Sequence, residues 1–191
     1  MNKNRLLGIM LLTSQIFLIM LILSLLALTL ILIHWHINRE FYADIPIPIL
    51  GRKVFMSYTV VRSSAPAGTI HIQSSATLNN ISVASMYLLY LQLSAITILT
   101  FLALREFTNV IRSVRGVRTF VVQNTRSLKK IGLFLLSVFL LSGIQYSSYK
   151  ESVLFGLYFH LTLLMMSLLA FTLSEIFKEG NALLEENMGT I

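Results

Sequence analysis

Charged residues avoid four long stretches of this chain, and this spacing constrains the fold more than any other feature. The stretches Leu6–Ile33, Ile81–Leu104 and Ile131–Tyr149 contain no Asp, Glu, Lys, Arg or His, and Ser152–Ser174 contains only His160. A helix needs about 20 apolar residues to cross a hydrocarbon core of about 30 Å. Only 12% of the residues are charged, against about 25% in soluble domains. The sequence therefore predicts an all-α integral membrane protein with four transmembrane helices.

The four helices are predicted within a single membrane domain that covers residues 1–191. Their predicted bounds are 6–33, 81–104, 131–149 and 152–176. The first stretch is far longer than the apolar core of a cleaved signal peptide, about 7–15 residues, so we expect an uncleaved anchor. The chain contains no cysteine, which excludes disulfides, thiolate metal sites and thiol nucleophiles.

The distribution of basic residues predicts the orientation in the membrane. The segment 105–130 contains seven Lys and Arg residues and one acidic residue, Glu106. Short basic loops stay in the cytoplasm, and four crossings place both termini on the same side as this segment. Lys129 and Lys130 then lie where the third helix enters the membrane, where they can anchor the topology and contact anionic lipid headgroups.

The loop 34–80, predicted outside the cytoplasm, changes from helical to strand patterning. Apolar and polar residues alternate in "RKVFMSYTVVR" (52–62) and "TIHIQSS" (69–75), with turn residues between them. This pattern predicts short strands, and hence a small β hairpin or three-stranded patch. His34, His36 and His71 lack the neighbouring ligands of a metal site, so we interpret them as interfacial packing residues and predict no metal or other cofactor.

The cytoplasmic segments have a helical period and opposite charge. The second helix is expected to run on past residue 104, to break near Gly116, and to be followed by a new helix from about Val122. Arg112, Arg115 and Arg118 form a basic stripe that suits a lipid surface or an acidic protein. No DNA-reading motif is present, so direct nucleic-acid binding is not predicted. The tail 177–191 is acidic, its helix should end near Gly189, and its charge suggests contact with the basic segment.

His160 is predicted about two turns inside the fourth helix. Ionisable groups at membrane depth are costly and often functional, but a hydrogen bond to a neighbouring helix would also explain this histidine. A transporter would need a polar cavity around His160, and Gln92, Ser94 and Thr97 of the second helix could contribute to it. Ala170 and Ser174 have the small-xxx-small spacing that allows close helix approach.

Two cytoplasmic motifs carry a resemblance to a known family. "RGVRTFVVQNTRSLKKIG" and the tail "SEIFKEGNALLEENMGTI" resemble the bacterial four-helix membrane family called domain of unknown function 2975. The first motif matches at Gly116, Phe120, Asn124, Leu128, Ile131 and Gly132. The second matches at Glu175, Phe177, Lys178, Gly180, Leu184, Glu186, Asn187, Thr190 and Ile191.

The resemblance implies a bacterial inner-membrane protein and no known catalysis. Because such proteins are often encoded beside a small helix-turn-helix regulator, it implies a regulatory or sensing membrane partner of that DNA-binding protein. The docking residues would be Phe120, Asn124, Leu128, Lys129, Gly132, Glu175, Phe177, Glu186 and Asn187. A small transporter or efflux component is the alternative. The sequence contains no nucleophile–base pair or phosphate-binding loop, so we do not expect an enzyme; a homo-oligomer stays open.

Overall fold

The computed structural model describes residues 3–43, 45, 56–63, 78–116, 121–148 and 152–189. These residues form four α helices, a short 3-10 helix (Glu40–Tyr42) and three strands. The helices are α1 (Lys3–Ile37), α2 (Val83–Arg115), α3 (Val122–Ser142) and α4 (Leu161–Gly189), and the strands are β1 (Met56–Ser63), β2 (Ile144–Ser148) and β3 (Ser152–Phe159). The chain is therefore predominantly helical, as predicted, and it has the predicted number of helices.

Three of the four helices, α1, α2 and α4, are long and apolar enough to cross a membrane. Helix α2 runs past residue 104 and ends at Arg115, α3 begins at Val122, and α4 ends at Gly189. These three bounds confirm the predicted end of α2, start of α3 and end of α4. Helix α3 differs because Arg126, Lys129 and Lys130 lie in its first half, so its apolar part is short.

The helical structure predicted for residues 143–159 is wrong. Helix α3 ends at Ser142 and not at residue 149, and α4 begins at Leu161 and not at residue 152. Strands β2 and β3 occupy the residues between them. Short apolar runs do not distinguish a strand from a buried helix, and "SVLFGLYF" is apolar at nearly every position. Its three aromatic residues and Val153 favour the strand.

The three strands form one antiparallel sheet in the order β1-β3-β2. Tyr58 is opposite Leu157 in one pair, and Tyr146 is opposite Phe155 in the other. The predicted strand at 52–62 is thus confirmed as β1, but its observed partner is β3. The predicted strand at 69–75 lies outside the described residues.

Strand β3 alternates between buried and exposed positions, although its sequence hides the period. Gly156 and Tyr158 are buried, whereas Phe155, Leu157 and Phe159 are exposed. A Cβ atom at position 156 would collide with the Tyr158 ring, so only glycine lets that ring lie over the strand. The exposed side chains of β2 and β3 are mostly apolar, which suits contact with a bilayer and not with water.

The chain divides into two compact units. The first unit contains Met1–Leu23, Thr97–Phe139 and Thr162–Ile191, and the second contains Ser24–Ile96 and Leu140–Leu161. Each unit has its own buried apolar cluster.

The core of the second unit is built around Trp35, which is fully buried beside Tyr42, Ile81 and Met86. The indole Nε1 donates a hydrogen bond of 2.9 Å to the carbonyl oxygen of Leu78. The Arg39 guanidinium lies 4.1 Å from the centre of the Trp35 ring, a cation–π distance. These contacts attach the end of α1 to the residues that precede α2.

Candidate functional site

The first half of α3 presents one buried face in the first unit. Asn124, Ser127, Leu128, Ile131 and Gly132 are all buried. Their spacing of three, one, three and one residues places them on one side of a helix. The motif that suggested the family therefore folds into a packing face.

This face packs against both α2 and α4. Leu128 and Ile131 form a cluster with Val110 of α2 and Ala170 of α4. Half-buried apolar side chains close the edges of the cluster: Val114, Leu135 and Phe177. Helices α2, α3 and α4 thus share one core within the first unit.

Helix α4 packs tightly against α3 at Gly132. The side-chain hydroxyl of Ser167 donates a hydrogen bond of 2.9 Å to the Gly132 carbonyl oxygen. The Phe171 ring lies so close that a Cβ atom at position 132 would be 2.8 Å from its Cε1 atom. Ala170 and Ser174 are also buried on this side of α4, and Ser174 Oγ donates to the Thr125 carbonyl oxygen at 3.0 Å. The close approach predicted from their small-residue spacing is confirmed as an α3–α4 contact.

A polar contact joins α3 to α2 beside the apolar cluster. Ser127 Oγ donates a hydrogen bond of 2.7 Å to Glu106 Oε2, and Lys130 Nζ lies 3.5 Å from Glu106 Oε1. The Glu106 side chain is only 18% exposed, whereas that of Lys130 is 56% exposed. Sequence reasoning missed Ser127 and Glu106 as partners. The available signal was that Glu106 is the single acidic residue in the basic segment.

Exposed basic residues accompany the packing face. Arg105, Arg112 and Arg115 of α2 are exposed, and so are Arg126 and Lys129 of α3. Arg118, the third residue of the predicted basic stripe, lies outside the described residues. Exposed basic groups are therefore spread along α2 and α3 over the part of the segment that the structure describes.

The end of α4 carries acidic and apolar groups together. Glu179, Glu185 and Glu186 are exposed, and Leu183 and Leu184 are 60% and 43% exposed. We refer to residues 179–186 as the acidic helix end. One turn earlier, Lys178 pairs with Glu175 at 2.6 Å, with both side chains more than 60% exposed.

The predicted docking residues separate into a buried and an exposed set. Asn124, Leu128 and Gly132 are buried and Phe177 is half-buried, so they hold the helices together. Lys129, Glu175 and Glu186 are exposed and can meet a partner in this conformation. Phe120 lies outside the described residues, and Asn187 lies within α4.

The predicted contact between the tail and the basic segment is observed in the part of the chain that the structure describes, but it consists of apolar packing and a hydrogen bond and not of ion pairs. Phe177 reaches the cluster around Leu128, and Ser174 bonds to Thr125. The two ion pairs found among the described residues join Lys130 to Glu106 and Lys178 to Glu175. The first lies within the basic segment and the second within α4.

The residues considered for a transport cavity occupy different surroundings from those expected. His160 lies between β3 and α4 and is half-buried, so its predicted position two turns inside a helix is wrong. The Gln92 Nε2 amide donates to the carbonyl oxygens of Leu141 and Ile144, both at 2.6 Å, and so caps the end of α3. Ser94 and Thr97 are half-buried in α2.

The structure describes two of the three histidines rejected from the sequence as metal ligands, His34 and His36. His34 Nδ1 and the Tyr42 hydroxyl are 2.9 Å apart, and the His34 ring packs edge-on against Phe41. His36 is exposed near the end of α1, and His71 lies outside the described residues. Within the described parts of the chain, no group of three or more His, Cys, Asp and Glu residues could hold a metal ion.

Comparison with known proteins agrees with the resemblance inferred from the two motifs. The model of the family described as "Protein of unknown function (DUF2975)" matches residues 69–191. The match includes α2, α3 and α4, and therefore the whole interface around Gly132. No curated protein and no solved structure matches the chain.

Proposed function

The chain belongs to the DUF2975 family, and we propose that it is a multi-pass inner-membrane protein that docks a small cytoplasmic helix-turn-helix regulator through its acidic helix end. The proposed role is binding and not catalysis. It has two parts, a membrane topology and a docking surface, which rest on different observations.

The proposed topology has four crossings with both termini in the cytoplasm. The first unit gathers the start of α1, the end of α2, the start of α3 and the end of α4, which is the grouping that four alternating crossings require. Helix α3 has 21 residues, about 32 Å at 1.5 Å per residue, so it spans a hydrocarbon core of about 30 Å only if Arg126, Lys129 and Lys130 lie within its cytoplasmic half. Its basic residues can extend their charged groups to the interface, as lysine and arginine side chains commonly do.

The exposed leucines of the acidic helix end are the observation that carries the docking proposal. Helix α4 has 29 residues, about 44 Å, whereas the hydrocarbon core is about 30 Å thick. Its last turns therefore extend into the cytoplasm, where Leu183 and Leu184 expose apolar surface. A lipid surface is a poor partner for them because the anionic leaflet repels the adjacent Glu185 and Glu186. An amphipathic helix that lies in a protein groove is the recognition mode that fits.

The charge of the acidic helix end indicates the kind of protein it fits. Proteins that bind DNA carry a basic face that neutralises phosphates. Glutamates beside leucines complement such a face, and complementary charge favours specific association. The family resemblance independently implies a helix-turn-helix regulator. Docking by this face would hold the regulator at the membrane and prevent it from binding DNA.

The test is affinity purification of the intact protein from its native membrane in mild detergent, followed by mass spectrometry. We compare the wild type with the double variant Glu185→Gln, Glu186→Gln and with Leu183→Ser, Leu184→Ser. The control is Arg112→Gln, Arg115→Gln, which changes the same number of charges on exposed residues of α2. We expect a DNA-binding protein with the wild type and the control and its loss from both α4 variants.

DNA competition tests whether the regulator uses its DNA-binding face. Adding duplex DNA to the purified complex should release the regulator. The competing binding of DNA to the regulator should be weaker at higher salt. Equal recovery from the wild type and the α4 variants would refute the docking surface. Recovery of no DNA-binding protein with the wild type would refute the proposed partner.

A further inference from the structure

A groove opens between α1 and α2 in the first unit. Its volume is about 250 Å³, and its walls are α1 side chains from Ile9 to Phe17 together with Leu104 and Phe107 of α2. The hydroxyl groups of Ser14 and Thr108 are hydrogen bonded to each other and join the two helices. The lining is otherwise almost wholly apolar, and Phe17 and Phe107 are 54% and 41% exposed. The groove therefore suits an apolar chain that enters from the side.

Two arginines lie one helical turn beyond the groove. Arg5 precedes Ile9 by four residues, and Arg112 follows Thr108 by four residues. Residues four apart lie on the same side of a helix, so each arginine continues the stripe that faces the groove. Consecutive membrane spans run in opposite directions, which places both arginines at the same end. Both are exposed.

The acidic residue that α2 contributes to this region is already engaged by α3. Glu106 is the acidic residue of α2 next to the groove, and its carboxylate is engaged by Ser127 and Lys130 of α3. Arg105, its neighbour in sequence, is exposed and adds a third positive charge. An apolar groove with a basic end matches a molecule that joins a hydrocarbon chain to an anionic group.

We propose that this groove binds one acyl chain of an anionic phospholipid, with the phosphate group held between Arg5 and Arg112. The guanidinium group forms paired hydrogen bonds with phosphate. Basic pockets between membrane helices on the cytoplasmic side are suited to acidic headgroups. A zwitterionic lipid can fill the groove but leaves part of the positive charge unneutralised. The inference rests on the membrane topology proposed above and is independent of the docked regulator.

Tryptophan quenching by brominated lipids provides the test. Trp35 is the single tryptophan of the chain, so the variant Trp35→Phe, Phe107→Trp carries a reporter in the groove. The matched control is Trp35→Phe, Leu169→Trp, because Leu169 of α4 is 59% exposed and apolar. Each protein is reconstituted into mixtures of phosphatidylcholine and phosphatidylglycerol in which one lipid carries brominated chains.

We expect the groove reporter to prefer phosphatidylglycerol over phosphatidylcholine by about five-fold, the effect of one basic residue near an anionic surface. The Leu169→Trp reporter should show a ratio near one. Adding Arg5→Gln and Arg112→Gln should bring the groove ratio close to one as well. Equal ratios at the two reporters, or a groove ratio unchanged by the arginine substitutions, would overturn the proposal.

The quenching results and one further measurement distinguish the reasons for which the test could fail. If neither reporter is quenched by any lipid, the membrane topology is wrong, and this inference is wrong with it. If Trp35→Phe prevents folding, native mass spectrometry of the protein with Trp35 intact gives the second measurement. More phosphatidylglycerol retained by the wild type than by Arg5→Gln, Arg112→Gln supports the site, and equal retention overturns it.

Discussion

Replacing Gly132 with alanine should destabilise the protein, although alanine is the better helix residue. The added methyl group would lie 2.8 Å from Phe171 Cε1 and 2.9 Å from Cδ1. Carbon atoms pack best at about 3.5–4.0 Å, so the Phe171 ring must move. Ser167 anchors the same turn of α3 through the Gly132 carbonyl oxygen, which limits how far the two helices can separate.

The expected magnitude follows from two opposing terms. Alanine stabilises a helix interior by about 1 kcal/mol relative to glycine, and overpacking a filled interface costs about 1–3 kcal/mol. Gly132→Ala should therefore lower the free energy of unfolding by up to about 2 kcal/mol. Gly8 of α1 provides a matched control because its Cβ atom would meet no heavy atom within 4 Å. Gly8→Ala should be neutral or stabilising.

The assay is unfolding by a denaturing detergent in mixed micelles, followed by far-UV circular dichroism. The decisive quantity is the difference between Gly132→Ala and Gly8→Ala, about 1–3 kcal/mol in favour of the latter. A double-mutant cycle with Phe171→Leu should show coupling, because the smaller side chain makes room for the methyl group. Equal stability of the two alanine variants, or no coupling to Phe171, would refute the close packing inferred at Gly132.

Two polar contacts give further predictions by the same assay. Ser127→Ala should destabilise the protein by about 1–2 kcal/mol, because the Glu106 carboxylate loses its 2.7 Å hydrogen bond in a largely buried position. An unchanged unfolding midpoint would contradict this prediction and would mean that water replaces the Ser127 hydroxyl without cost. Ser85→Ala should cost about 1–3 kcal/mol, since Ser85 is fully buried and its Oγ accepts the backbone N–H of Ser148 at 2.8 Å. Ser137→Ala is the milder control, because the Ser137 hydroxyl donates to the Leu133 carbonyl oxygen within its own helix. An equal effect of the two substitutions would contradict the specific role of Ser85.

The helical part of the fold could be predicted because charge and hydropathy mark it locally. Gly116 ended α2, and the basic residues marked the start of α3, so these bounds were accessible without tertiary information. Hydropathy failed at residues 143–159 because an apolar strand and an apolar helix have similar mean hydropathy. Strand β3 is fixed by pairing with β2, its neighbour in the chain, and with β1, nearly a hundred residues away, and the second contact is one that no local pattern contains.

The site was predicted in part for a similar reason. The sequence showed that Asn124, Leu128 and Gly132 share a helix face, but it could not show what that face meets. The structure shows Val110 of α2 and Ala170 of α4 against it. Ser167 was missed because a serine inside an apolar helix has no local signature when its partner is a backbone carbonyl oxygen on another helix.

The division between buried and exposed residues changes what the family motif can mean. A motif whose side chains fill a helix interface specifies how α2, α3 and α4 pack, whatever this chain binds. Specific recognition must then depend on the groups the interface leaves outside, such as Lys129 of α3 and the acidic helix end. Phe177 links the buried interface to the acidic helix end. It packs on the α3 cluster and precedes the exposed Leu183 and Leu184 by six and seven residues in the same helix. A change in α3–α4 packing would therefore move the acidic helix end, so substitutions at Gly132 should alter binding of the proposed regulator without contacting it directly.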